Sequence, residues 1–312
     1  MTFHRRRKGW HPAHRARMPL VRLLPPTLEP ATLPPGTSGE STGGPSGNDL
    51  DQLAAATTSM VWSNLSSVRY NVTQLAGKVS AVADGRTGSP GYSVAQATGS
   101  KQPSISGAGA SLVLTTDGVS TCLVSALQAA LDNSQTCIGM MGVLTLVDPP
   151  ATRGAFHFPM CISTSSNVPG IFLARDSEAI NPEVGDAYVY FDDSSGSLAH
   201  VDPIAQVAIG TEAAAGMRTL WGKRTLVLMW RTATTYFWCV PPYPVVSQAA
   251  GAAATAGHCL LAIGTDGTGT LFDGNQYRAW GTFTATALGP SSADIASILQ
   301  WATANEFCLN DP

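Results

Sequence analysis

Residues 271–305 decide the fold, and they read Leu271-Phe-Asp-Gly-Asn-Gln-Tyr-Arg-Ala-Trp280, Gly281-Thr-Phe-Thr-Ala-Thr-Ala-Leu288, Gly289-Pro-Ser-Ser-Ala-Asp294 and a run from Ile295 to Asn305. Asp273-Gly274 has the chemistry of a tight turn. Tyr277, Trp280 and Phe283 sit in a Thr-rich, aromatic stretch that suits a half-buried strand. A helix is predicted next. Ser291 is placed to cap it, Asp294 three residues later completes a capping box, and Ile295, Ile298, Leu299 and Ala302 recur at helical spacing on one face. Turn, strand and capped helix thus close a domain that is otherwise β.

A second stretch belongs to the other end of that domain. Lys78-Val-Ser-Ala-Val-Ala-Asp84 reads as a strand ending in Asp, Ser93-Val-Ala-Gln-Ala-Thr-Gly-Ser-Lys-Gln-Pro103 as a loop, and Leu112-Val-Leu-Thr-Thr-Asp-Gly118 as a strand ending in Asp-Gly. Together the two stretches resemble concanavalin A-like, laminin-G-like jelly-roll domains, as found in bacteriophage virion proteins, over roughly residues 60–308. Ala83 stands where that family carries Trp. The resemblance implies an all-β, concanavalin A-like jelly-roll β-sandwich with an extended N-terminal arm and a short C-terminal helix.

The strands between these ends are predicted from apolar runs bounded by turn residues. Arg224-Thr-Leu-Val-Leu-Met-Trp-Arg231 and Thr235-Tyr-Phe-Trp-Cys-Val240 are separated by a short Thr-Ala-Thr link, which predicts a hairpin covered on both faces. Residues 136–147, 154–164, 170–175, 187–191 and 259–264 read as further strands. Turn signals at roughly ten-residue intervals fit a sandwich. The 312 residues are 44% hydrophobic and only 12% charged, enough material for one core with appendages. No apolar run is long enough to predict a membrane-spanning helix.

The charge is unevenly placed. Residues 1–30 carry seven of the 18 basic side chains and one acid, a net charge of +6, which leaves −9 for the rest of a chain whose total is −3. A basic arm on an acidic body is expected to meet something other than its own surface. Arg5, Arg6, Arg7, Lys8, Arg15 and Arg17 are the candidate partner-anchoring residues. Arg22 interrupts Met18-Pro-Leu-Val-Arg-Leu-Leu24, so this segment does not read as a secretory leader. Prolines and glycines from Pro25 to Gly47 then predict an extended tether. The organisation read is an arm and tether over 1–48, a short helix or stalk over 49–60, and the sandwich over 61–312. Apolar residues from Leu50 to Val79 also recur at spacings of three and four, the seam of a coiled coil. Many Thr, Ser and Val residues oppose helix there. The preferred reading is a helix near Asp49 to Thr58, capped by Asn48 or Asp49, with β structure from about Met60.

Catalytic motifs are not evident. The six cysteines lie apart without a C-x-x-C pair, and the three histidines beyond the arm are isolated from one another. That pattern predicts neither a zinc site nor a redox dithiol. No nucleophile elbow, phosphate loop or zinc-protease motif is present. The jelly-roll superfamily includes glycoside hydrolases, which need paired carboxylates. Asp176 and Glu178 have strand spacing within the densest acidic cluster, yet they lead into Ala179-Ile-Asn-Pro182 and read as a turn.

Two kinds of binding residue remain as candidates. Tyr236, Trp238 and Tyr243 are aromatic and could stack on a sugar face, although alternating aromatics on a strand more often fill a core. Asp192, Asp193, Asp266 and Asp273 are loop acids of the kind that bind calcium in lectin-like jelly rolls. No other cofactor is expected. The expected role is that of a virion structural protein, a fibre, spike or capsid-decorating protein and not an enzyme. It would bind other virion proteins through its arm, contact host-surface glycans with its head or stabilise the shell by covering it, and form a homo-oligomer. A coat protein whose arm binds nucleic acid is the alternative, followed by a polysaccharide-degrading enzyme.

Overall fold

The computed structural model describes residues 48–88, 91–108, 111–132, 134–147, 156–164, 170–176, 187–193, 196–198, 222–250, 257–269, 271–286 and 288–305. The chain begins these with helix α1 (Asp49–Ala56), then β1 (Met60–Ser67), β2 (Val72–Leu75), β3 (Lys78–Val82), β4 (Val94–Ala95), β5 (Ser104–Ser106) and β6 (Val113–Thr115). The next strands are β7 (Leu123–Val124), β8 (Gln128–Asp132), β9 (Cys137–Thr145), β10 (Phe156–Ser163), β11 (Gly170–Asp176), β12 (Ala187–Asp193) and β13 (Gly196–Leu198). Last come β14 (Arg224–Thr232), β15 (Thr235–Cys239), β16 (Val246–Ala249), β17 (His258–Ile263), β18 (Gln276–Ala285) and helix α2 (Ser292–Ala304).

Hydrogen bonding arranges the strands, all antiparallel among the described residues, into two layers. One runs β1-β18-β9-β14-β15-β16. The other runs β13-β12-β11-β10-β17-β7-β4-β3-β2. Strands β5 and β6 make the corner, β5 pairing with β3 and β6, and β6 pairing with the start of β18. The fold is an all-β sandwich.

Alternation along each strand explains the long apolar runs. On β9, Ile138, Met140 and Leu144 face the core between the layers, where Met160, Ile162, Leu261 and Ile263 meet them from β10 and β17. Cys137, Met141 and Val143 face the other way, into a second buried cluster. Strand β14 repeats the division, with Val227 and Met229 between the layers and Leu226, Leu228 and Trp230 in the second cluster. Both faces are therefore dry, and polar alternation disappears from the sequence. Gly139 and Gly142 make the room this needs: a Cβ on Gly139 would lie 2.4 Å from the Phe283 ring, and one on Gly142 would lie 2.3 Å from the Met160 sulfur. Phe283 also meets Trp62 edge-on with centroids 5.6 Å apart. Burying one such ring contributes about 1.5–3 kcal/mol.

The two helices cover that second cluster. Helix α2 starts at Ser291, whose hydroxyl accepts the Asp294 N–H at 3.1 Å while the Asp294 carboxylate accepts the Ser291 N–H at 2.9 Å. Ile298, Trp301 and Ala302 are buried in the cluster, with Ile295 and Leu299 packed at its margin. Helix α1 is capped by Asn48, with Asp51 as reciprocal partner, and buries Leu50 and Leu53. The coiled-coil seam over residues 50–79 does not form, because the chain enters strands after Ala56. Two of its seam residues, Val61 and Leu75, are 65% and 82% exposed. Residues 1–47, with the anchoring candidates Arg5, Arg6, Arg7, Lys8, Arg15 and Arg17, lie outside the described residues.

Candidate functional site

The three candidate aromatics separate by burial. Tyr236 and Trp238 lie on β15 at 2% and 0% exposure, inside the core between the layers. Their parity along the strand sends both rings inward, so neither offers a face to a sugar. Tyr243 differs. It sits in the loop between β15 and β16, where its N–H donates to the Val240 carbonyl at 2.9 Å. Tyr243 is 39% exposed and Val245 44% exposed, and Pro242 and Pro244 are exposed beside them. Three prolines in the loop restrict its backbone, so little freedom remains to be lost on binding. From Thr232 to Gly257 the sequence carries no charged side chain and no histidine. The loop is a rigid, uncharged, apolar tip with one aromatic ring.

The candidate metal ligands fall on different elements. Asp192 and Asp193 belong to strand β12, paired to Ser197 and Gly196 of β13, and are not loop residues. Asp266 is buried at 1% exposure and its carboxylate accepts the Leu271 N–H at 3.0 Å and the Thr268 hydroxyl. Asp273 is fully buried. Its N–H donates to the Gly264 carbonyl at 3.0 Å, and its carbonyl accepts the Thr116 hydroxyl at 2.6 Å. Among the described residues no three His, Cys, Asp or Glu side chains gather as a metal ion would require. Asp266 instead holds its own loop together, as Asp117 does through the N–H groups of Val119, Ser120 and Thr121. Two of these turns also pack on each other. Gly118 has φ of +72°, and a Cβ there would lie 2.9 Å from the Gly274 nitrogen. Only glycine fits that backbone conformation and contact together.

Burial pushes the thiols of Cys137, Cys161 and Cys239 up to about 12, so they stay protonated and are poor nucleophiles. Cys122 and Cys259 are likewise buried. His258 lies 3.5 Å from the Asp132 carboxylate and is largely exposed. Glu178, Glu183, Asp186, His200 and Cys308 lie outside the described residues. Buried Asp84 is taken by Arg86, with a contact of 2.6 Å, and by the Leu65 N–H.

The sequence offered little warning of one polar cluster. The Asp49 carboxylate, at the first turn of α1, accepts from Arg69 and from the Trp301 indole, both at 2.9 Å, and from the Tyr70 hydroxyl. Arg69 and Tyr70 follow β1, and Trp301 is on α2. An acid beside a helix cap was legible; its partners were not, since they come from 20 to 252 residues away.

No protein family matches the chain, and no curated protein matches it. Solved structures do. Domain 4 of AbnA, a GH43 extracellular arabinanase from Geobacillus stearothermophilus in complex with arabinotriose, is similar at 10% identity and a TM-score of 0.45, covering 77% of this chain and 99% of that one. The binding domain of botulinum neurotoxin serotype G is similar at 7% identity and a TM-score of 0.49, and the chain spans 51% of its length with 78% of its own. A GH54 α-L-arabinofuranosidase is similar at 9% identity and a TM-score of 0.44, with 82% and 65% of the two chains covered.

Proposed function

We propose that this chain is a virion structural protein of the fibre, spike or capsid-decorating kind, which attaches a particle to its host and does no catalysis. The N-terminal arm anchors it to other virion proteins, and the sandwich is the displayed head. The observation that carries the reading of the head is how its described polar groups are used. Asp84, Asp266 and Asp294 are engaged in turns, caps and an ion pair, and the described thiols are buried. The Tyr243 loop instead points a ring and three apolar neighbours at solvent. A flat ring on a stiff loop suits the apolar face of a sugar.

Each half has its own experiment. Deleting residues 1–30 abolishes incorporation into particles if the arm is the anchor; normal incorporation rejects the anchor. Glycan arrays probed with the full chain and with Tyr243→Ala test the head, the variant losing about tenfold or more in retention.

The net charge of +6 on residues 1–30 supports a second reading, a coat protein whose arm binds packaged nucleic acid. Phosphate neutralisation would give the arm's binding a steep dependence on salt. Salt-insensitive or absent binding of single- and double-stranded nucleic acid leaves the protein anchor as the better account.

A further inference from the structure

Helix α1 has eight residues, too few to persist in water by its own backbone bonds. Contacts with the body must hold it, and they fall into two groups. On one side, the Asn48 amide donates to the Gly85 carbonyl at 2.6 Å, and the Asp51 carboxylate accepts the Thr87 N–H at 2.8 Å and hydroxyl at 2.7 Å. Leu50 seats against Gly85, where a Cβ would lie 2.4 Å from its methyl group. On the other side stands α2. Leu50 and Leu53 share a buried cluster with Ile298, Trp301 and Ala302. The Asp49 carboxylate takes the Trp301 indole N–H at 2.9 Å and the Arg69 guanidinium at 2.9 Å, and the same Arg69 nitrogen donates to the Asn305 side chain at 2.9 Å. Asn305 is also the C-cap of α2, its N–H and its amide both donating to the Trp301 carbonyl, at 3.1 and 2.9 Å.

We propose that α1 and the last turn of α2 form one clasp, joined through Asp49, which opens and closes as a unit and holds Asn48, the residue at which the arm and tether end. The strands beneath are tied by ladders that do not involve Asp49. Among the described residues, helix α1 by contrast meets the end of α2 through the Asp49 carboxylate, with the Arg69 guanidinium and the Trp301 indole on it, and through an apolar contact. Removing the carboxylate takes one hydrogen bond from Arg69 and one from the Trp301 indole, so both helix ends loosen together. Free-energy changes of this kind appear as local opening, separable from global unfolding. A pull on the chain before Asn48 then loads the clasp before it loads β1.

The test is hydrogen exchange followed by mass spectrometry on the full chain, comparing wild type, Asp49→Ala and Trp301→Phe. The second variant removes the indole donor and some of the ring's volume but keeps an aromatic ring in the cluster and leaves the Asp49–Arg69 pair in place, so it reports even where the first folds poorly. In both variants, residues 50–57 and 299–305 should exchange roughly ten- to a hundredfold faster, the scale set by losing a charge-assisted hydrogen bond. Strands β9, β14 and β18 should keep their rates. The clasp is overturned if α1 quickens while the end of α2 does not, if the strands lose protection by the same factor, or if Trp301→Phe exchanges as wild type.

Discussion

Thr116 and Asn275, 159 residues apart, are joined by two reciprocal hydrogen bonds, the Thr116 N–H donating to the Asn275 carbonyl and the Asn275 N–H to the Thr116 hydroxyl, each at 3.0 Å. The same hydroxyl donates to the Asp273 carbonyl at 2.6 Å. This joint lies next to the pairing of β6 with β18, at the corner where the two layers become continuous. It also brings together the two stretches on which the family resemblance rests.

Thr116→Val keeps the shape of the side chain and removes the hydroxyl, leaving the buried Asn275 N–H and Asp273 carbonyl without it. The expected loss is about 2–3 kcal/mol, and Thr116→Ser should lose less than half of that. Denaturant midpoints with an unchanged slope would measure both.

Gly139 and Gly142 should respond differently to alanine. A Cβ on Gly139 would sit 2.6 Å from the Cβ of Trp230, an atom fixed to the neighbouring strand, as well as against the Phe283 ring. At Gly142 the obstacle is the Met160 thioether, which can rotate away. Gly139→Ala is expected to cost about 1–3 kcal/mol and Gly142→Ala clearly less, by thermal denaturation of the two variants side by side.

Acid should weaken the fold through Asp294. Burial pushes its carboxyl up, but hydrogen bonds from Ser59 and Ser291 outweigh that and hold its pKa below the ordinary value. At Asp117, burial is likewise outweighed by the N–H groups of Ser120, Thr121 and Val119. A pKa lower in the folded state than in the unfolded state means stability that is present above the unfolded value, about 3.9, and lost as pH falls through the folded one. Melting temperature against pH should therefore fall steeply below about pH 4. Asp294→Asn should lower stability at neutral pH and flatten that acid limb.

The described thiols should resist modification until the protein unfolds. Cys122, Cys137, Cys161, Cys239 and Cys259 are buried, and burial raises at least Cys137, Cys161 and Cys239 to about 12. A short pulse of iodoacetamide, with peptide mapping, should leave all five unlabelled in buffer and label all five in denaturant. Rapid labelling of any of them in buffer would mean that its strand opens locally.

Much of the fold was legible. The Ser291 and Asp294 capping box and the Arg224 to Val240 hairpin depend on neighbours in sequence, and both stand where their residues predict. The apolar repeat from Leu50 to Val79 misleads because spacings of three and four also arise when β-branched residues populate short strands. There the chain runs in strands from Met60, and Val61 and Leu75 are exposed instead of lining a seam with their neighbours. Among the candidate site residues, Tyr236 and Trp238 could not be separated from Tyr243 by composition. What separates them is the parity of β15, which aims the first two inward, and the proline loop, which lifts the third out.

The sequence alone determined the secondary-structure type, the turns and caps, and the split between a basic arm and an acidic body, because these follow from local sterics and from charge counted along the chain. Tertiary structure decided which aromatic reaches solvent, which acids are engaged in turns, and how Asp49 meets Trp301. Those outcomes depend on which strand lies beside which, and that is set by burial summed over two layers. No single stretch of residues carries that sum.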